Sequence, residues 1–157
     1  MRLFGIPGAA LALTLAGMIP FAAGAGLMWY ASAAAGDPVL QAQAALCLLA
    51  YGAAVLAFLG GVRWGAEVNA HGSGIPRTRQ ISLSVLGTLG GAGLMLWGVL
   101  GALDWPVFAA AAAAHLLHGV WDADGAGLPN WMRRLRIFGA GVAVLSLAAG
   151  AAVYLAR

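Results

Sequence analysis

His115, His118 and Asp122 stand at i, i+3 and i+7 of an otherwise apolar run. On a helix of 3.6 residues per turn that spacing aligns all three on one stripe. Imidazoles followed by a carboxylate are the groups that bind metals, ligate haem or relay protons. A closed metal site needs more ligands than His115 and His118 supply. The remaining histidine, His71, stands in a polar stretch, and Glu67 is the one obvious donor from another segment. Structural histidines that hydrogen-bond within the fold are commoner, so no resident cofactor is expected. Haem or metal at His115 is the alternative. Arg63 and Glu67 are four apart, which predicts an ion pair along one helix with the arginine stem snorkelling to the membrane surface. Alternatively, Arg63 faces other helices and holds an anionic group such as a lipid phosphate or a substrate carboxylate.

Asn130, Trp131 and Arg136 belong to the basic segment Asn-Trp-Met-Arg-Arg-Leu-Arg. It predicts a headgroup-level anchor, or a docking surface for another membrane subunit. The run Asp122-Ala123-Asp124-Gly125 lacks the other ligands of a calcium loop and reads as a turn. Ser32, Ser82, Ser84 and Ser146 have no base nearby, and the signatures GxxxxGK[ST], GxSxG and HExxH are absent. The expected protein is not an enzyme.

The solvent of the scaffold follows from composition. Of 157 residues, 62% are apolar and 8% charged, with mean hydropathy +0.90. Soluble domains carry about 25% charged residues. So few charges cannot cover a wet surface, and the expected medium is a bilayer. Net charge is +3, carried entirely by eight arginines, since lysine is absent. Anionic lipid headgroups are the expected partners of that charge. Nucleic acid is not, because no basic face with groove-reading or stacking elements exists. The single cysteine, Cys47, excludes an intrachain disulfide framework.

A spanning helix needs about 20 apolar residues. Five segments approach that length, at about 7–35, 39–62, 81–103, 107–121 and 137–155, and the helix of the second is able to continue to Val68. The expected fold is an all-α integral membrane bundle of five transmembrane helices forming one domain over residues 1–157. The first segment reads as a retained span and not as a cleaved signal, because its apolar run continues to Ala35. Pro20 should kink it. Gly36-Asp37-Pro38 predicts a turn with Pro38 opening the next helix, and Asp104-Trp105-Pro106 predicts another helix start. The fourth span is short, at roughly 22 Å.

Threaded this way, seven of the eight arginines share one side and only Arg157 lies opposite. The positive-inside rule then sets the N-terminus in and the C-terminus out. Trp29, Tyr30, Trp105 and Tyr154 fall near outer span ends, and Trp64, Trp121 and Trp131 near inner ends, as an aromatic belt would. Gly61 with Gly65, and Gly87 with Gly91, form GxxxG pairs suited to close helix packing. No internal repeat is visible, which argues against a transporter built from inverted repeats.

Three blocks carry a family likeness: Leu15-Ala16-Gly17-Met18-Ile19-Pro20-Phe21; Ala50-Tyr51-Gly52 leading to Phe58-Leu59-Gly60-Gly61-Val62-Arg63-Trp64-Gly65; and Leu128-Pro129-Asn130-Trp131 leading to Leu135-Arg136-Ile137. In that order they resemble the transmembrane protein 69 family. The resemblance implies a multispan α-helical protein of bacterial inner or mitochondrial membranes, with a histidine where His115 stands. It implies no activity. It places the expected functional contacts at the arginine-rich face. The expected function is a non-enzymatic accessory or assembly subunit of an energy-transducing complex in the bacterial inner membrane. The alternatives are a small-molecule site inside the bundle, for haem, quinone or anionic lipid, and a transporter.

Overall fold

The computed structural model of the chain describes residues 2–3, 5–123 and 128–156, with the backbone alone for residues 2 and 3. The turn expected at Asp122–Gly125 therefore lies outside the described residues beyond Ala123, as do Arg157 and the Arg2 side chain. A two-residue hairpin, β1 (Arg2–Leu3) paired antiparallel with β2 (Ile6–Pro7), precedes the helices. The helices are α1 (Gly8–Trp29), continued as a π-helical stretch over Tyr30–Ala35, then α2 (Pro38–His71), α3 (Thr78–Leu100), α4 (Trp105–Ala123) and α5 (Asn130–Leu155).

Four of them are long and apolar enough to cross a membrane: α1 with its π extension, α2, α3 and α5. The molecule is a transmembrane helical bundle. The fifth helix, α4, has 19 residues and so measures about 28 Å, near the hydrocarbon thickness of about 30 Å. It is kept below the apolarity of a free-standing span by His115, His118 and Asp122, all of them buried. Its polar stripe faces protein.

Local chemistry sets the helix ends. Gly36, at φ 60°, closes the π-helical stretch in a left-handed conformation. Asp37 Oδ1 then accepts from Val39 N at 2.9 Å and Leu40 N at 3.0 Å, and Pro38 occupies the first helical position. Asp104 Oδ1 accepts from Trp105 N at 2.7 Å at the start of α4. Pro20 lies within α1, which continues through it. Two boundaries differ from expectation. α2 runs nine residues past 62, and α5 begins seven residues before 137. In both places polar residues that read as membrane-surface positions find partners on neighbouring helices, so the helix persists.

Each helix packs on its chain neighbours, and α5 closes on α1. The tightest approach is between α2 and α3, through bare backbone. A Cβ at Gly87 would sit 2.6 Å from the Leu56 carbonyl oxygen, and one at Gly91 would sit 2.6 Å from that of Ala53. The partner glycine on α2 is Gly60, where a Cβ would strike the Ser84 carbonyl. This corrects half of the glycine expectation: Gly61 and Gly65 have open space around them and pack on nothing. The core between the helices is built from Phe21, Met28, Leu48, Leu49, Leu56, Phe108 and Leu147. The aromatic expectation is also divided. Tyr30, Trp64 and Trp105 are exposed. Trp29 is exposed as well but donates to the Ala149 carbonyl at 3.0 Å, and Tyr154 stacks on Phe108 at 5.8 Å.

Candidate functional site

Three helices meet at Asp122. Its Oδ1 lies 2.7 Å from Arg63 Nε of α2, and its Oδ2 lies 2.7 Å from Arg136 Nε of α5. The side chains of Arg63, Asp122 and Arg136 are 4%, 1% and 8% exposed, so this is an internal cluster and not a surface rim. The Arg63 guanidinium also stands 4.7 Å over the Trp121 ring and donates to the Trp121 carbonyl. Arg133 donates to the Ala123 carbonyl. The last carbonyls of a helix have no intrahelical donors and carry partial negative charge. Arg63 and Arg133 supply those donors to α4, so its C-terminal end is capped by guanidinium groups from α2 and α5. Arg136 completes the junction by donating through Nη2 to the Leu59 carbonyl of α2 at 3.0 Å.

The expected pair of Arg63 with Glu67 does not form. Arg63 turns inward to Asp122, and Glu67 serves the loop before α3. Glu67 Oε1 accepts from Arg77 N at 2.8 Å and Nε at 3.0 Å, and Oε2 accepts from Nη2 at 2.8 Å. His71 Nδ1 lies 3.3 Å from the same carboxylate. A carboxylate at the N-terminal end of α3 also complements that helix's dipole. The Glu67 hydrogen bonds raise the Arg77 pKa above its ordinary value. Helical spacing permitted both partners for Arg63, and a cross-helix carboxylate in the interior outcompetes a neighbour that loop donors can reach.

Deeper along α4, His115 is 1% exposed. Its Nε2 lies 3.1 Å from the Gly52 carbonyl of α2. A carbonyl only accepts, so Nε2 carries the proton and Nδ1 presents a lone pair. Nδ1 has no hydrogen-bond partner among the described residues. Phe21 meets the His115 ring edge-on at 5.5 Å. His118 faces the Leu59 carbonyl and packs edge-on against Trp121 at 5.2 Å. The stripe thus divides: Asp122 binds arginine, while each histidine turns to a backbone carbonyl of α2. Among the described residues, no group of three or more His, Cys, Asp or Glu side chains is placed to hold a metal ion.

His115 and Arg136 both line a cleft of about 400 Å³ between α1, α2 and α5. Its walls are mostly apolar, with Met18, Phe21, Val55, Phe58, Leu135 and Gly139 among them, and Thr14 lines it while donating to the Ala10 carbonyl at 2.8 Å. Trp131 stands at its edge. Tyr51 also lines it but spends its hydroxyl proton on the Gly17 carbonyl at 2.7 Å. Arg136 Nη1, like His115 Nδ1, is buried without a hydrogen-bond partner among the described residues. Of the other sequence candidates, Trp64 is exposed on α2, away from the junction, and Asn130 accepts from Arg133 Nη1 at 3.3 Å. The cleft and the capping role of Arg133 have no local sequence signal. Arg136 had one, since Arg133 and Arg136 share a helical face at i, i+3 spacing.

The model of the family described as Protein of unknown function (DUF3429) matches residues 6–152. The chain belongs to the DUF3429 family. The matched range contains the charge cluster and every lining residue of the cleft, so the site belongs to the DUF3429 domain and not to an appended segment. No curated protein and no solved structure matches the chain.

Proposed function

We propose that this DUF3429 protein is a five-span bundle of the bacterial inner membrane whose α1–α2–α5 cleft binds a lipid-soluble small molecule. The observation that carries the reading is a largely apolar cleft lined by His115 and Arg136, whose Nδ1 and Nη1 are buried with no hydrogen-bond partner among the described residues. An unmet buried polar group costs on the order of 1–3 kcal/mol. A cleft of ligand size whose apolar walls are interrupted by a few polar side chains is the arrangement of a binding site. The likeness of the Phe58-Leu59-Gly60-Gly61-Val62-Arg63-Trp64-Gly65 and Pro129-Asn130-Trp131 blocks to the transmembrane protein 69 family supports contacts at the arginine-rich end of the bundle. The topology we infer is N-terminus in and C-terminus out, with the arginine end toward the cytosol and its anionic headgroups.

Gly139 provides the test. A Cβ there would meet only Met18 Cε, at 3.5 Å, so a longer side chain grows into the cleft without touching the charge cluster. Native mass spectrometry of the protein extracted in mild detergent should show a bound lipophilic mass that Gly139→Leu loses. A wild-type protein with no adduct, or an adduct indifferent to Gly139→Leu, contradicts the reading.

A second reading, an accessory or assembly subunit of an energy-transducing complex, has one observation in its favour. Gly61 and Gly65 leave a groove on the lipid side of α2, beside exposed Phe58 and Trp64. Such a surface suits another transmembrane helix. Mild-detergent isolation should then recover a stoichiometric membrane subunit that Gly61→Leu releases. Recovery of the protein alone counts against it.

A further inference from the structure

We infer that the guest of the cleft is one unbranched acyl chain, lying along the bilayer normal with its headgroup left outside at Trp131. The inference rests on the binding reading above and names its ligand class.

Length and width carry it. The lining runs from Ala10 to Phe21 on α1, from Val62 back to Tyr51 on α2 and from Trp131 to Ala143 on α5, a separation of 11 or 12 residues each time. That much helix covers about 16–18 Å. One leaflet of hydrocarbon is about 15 Å deep, half of the full core. The cleft is therefore a slot parallel to the lipid chains and about as deep as one leaflet. Rings close its deep end, where Phe21 meets Tyr51 at 5.0 Å and His115 at 5.5 Å, both edge-on. Its side is open to lipid between α1 and α2, since Leu13 and Phe58 both line it and are 74% and 68% exposed. A volume of about 400 Å³ spread over about 16 Å leaves a mean section of about 25 Å². Carbon atoms in contact stand about 4 Å apart, so that section admits one alkyl chain and not two.

The polar side chains inside the slot are already spent or covered. Tyr51 gives its hydroxyl proton to the Gly17 carbonyl, Thr14 gives its own to that of Ala10, and His115 Nε2 gives its proton to that of Gly52. His115 Nδ1 and Arg136 Nη1 are buried. These groups seat no polar head, so the guest is held by packed methylenes, each contact small and the sum large. The headgroup stays at the mouth beside Trp131, at the level where indoles sit in bilayers.

The experiment is photo-crosslinking of the full chain in phosphatidylcholine nanodiscs. The probes are a phosphatidylcholine and a free fatty acid, each with a diazirine at the end of its chain. Peptide mass spectrometry reads where the chain end lies. Label should reach buried Phe21 and Ala143 at the deep end, while Phe108, equally buried but outside the cleft, stays unlabelled. In Gly139→Leu the deep label should fall about tenfold, the equivalent of about 1.4 kcal/mol of overpacking, with label on lipid-exposed Leu116 unchanged. If Gly139→Leu does not fold, the wild-type contrast between Phe21 and Phe108 decides alone. Deep label from either probe supports the inference, and the stronger one identifies whether the chain arrives on a bilayer lipid or as a free acid. Deep label that Gly139→Leu leaves unchanged overturns it. Deep residues unlabelled by both probes, with a native-mass-spectrometry adduct still lost in Gly139→Leu, overturn the acyl chain and leave the cleft reading standing. Unlabelled deep residues with no such adduct overturn both.

Discussion

Asp122 neutralises two guanidinium groups from two different helices, so its removal has a different consequence from removal of either partner. Asp122→Ala leaves Arg63 and Arg136 buried with no described carboxylate between them. Breaking a buried pair from one side costs about 3–5 kcal/mol. Arg63→Met leaves Asp122 paired to Arg136. Thermal unfolding in one detergent should therefore rank Asp122→Ala as clearly more damaging than Arg63→Met. Equal losses would mean that the two arginines are not sharing one carboxylate. At His115, loss of the bond to Gly52 should cost about 1–3 kcal/mol in His115→Ala, read by the same melt. The chemistry-bearing residues were visible in sequence as intramembrane ionisable groups. Their pairing was not, because 59 residues separate Arg63 from Asp122 and helical periodicity ranks only local partners.

Among the elements, α2 and α3 give the sharpest contrast. Gly87→Ala and Gly91→Ala each drive a methyl into a backbone carbonyl that cannot rotate away, so the helices must separate. A loss of about 1–3 kcal/mol is expected for each. Gly61→Ala and Gly65→Ala meet nothing, and each should be neutral or stabilise the helix by about 0.5–1 kcal/mol. A melt in which all four variants lose stability alike would contradict this packing. The four-residue spacing of glycine was legible, but it does not say which helical face is turned inward. Gly60, one position from the pair that sequence favoured, makes the contact instead. The helix ends show the same limit. Gly36-Asp37-Pro38 acts through local capping and was readable, whereas the extension of α2 to His71 and the early start of α5 depend on partners elsewhere in the fold.

At the scale of the whole molecule, α4 is the element that makes sense only in company. It carries His115, His118 and Asp122 on one buried stripe, and α2 and α5 supply every partner found for that stripe. Four long apolar helices accompany it, and most of its polar side chains find partners inside the protein. Composition made the membrane setting plain, and apolar runs located the helices to within a few residues except at the end of α2 and the start of α5. The cleft has no such signature, because it is a space between α1, α2 and α5 and not a property of any one segment. The topology proposed above requires α4 to pass through the bilayer as the fourth of five crossings. Single-cysteine labelling near each chain end in intact cells, with a membrane-impermeant maleimide, tests this directly. Labelling near the C-terminus but not near the N-terminus is the expected result, and both ends reacting alike from one side would contradict it.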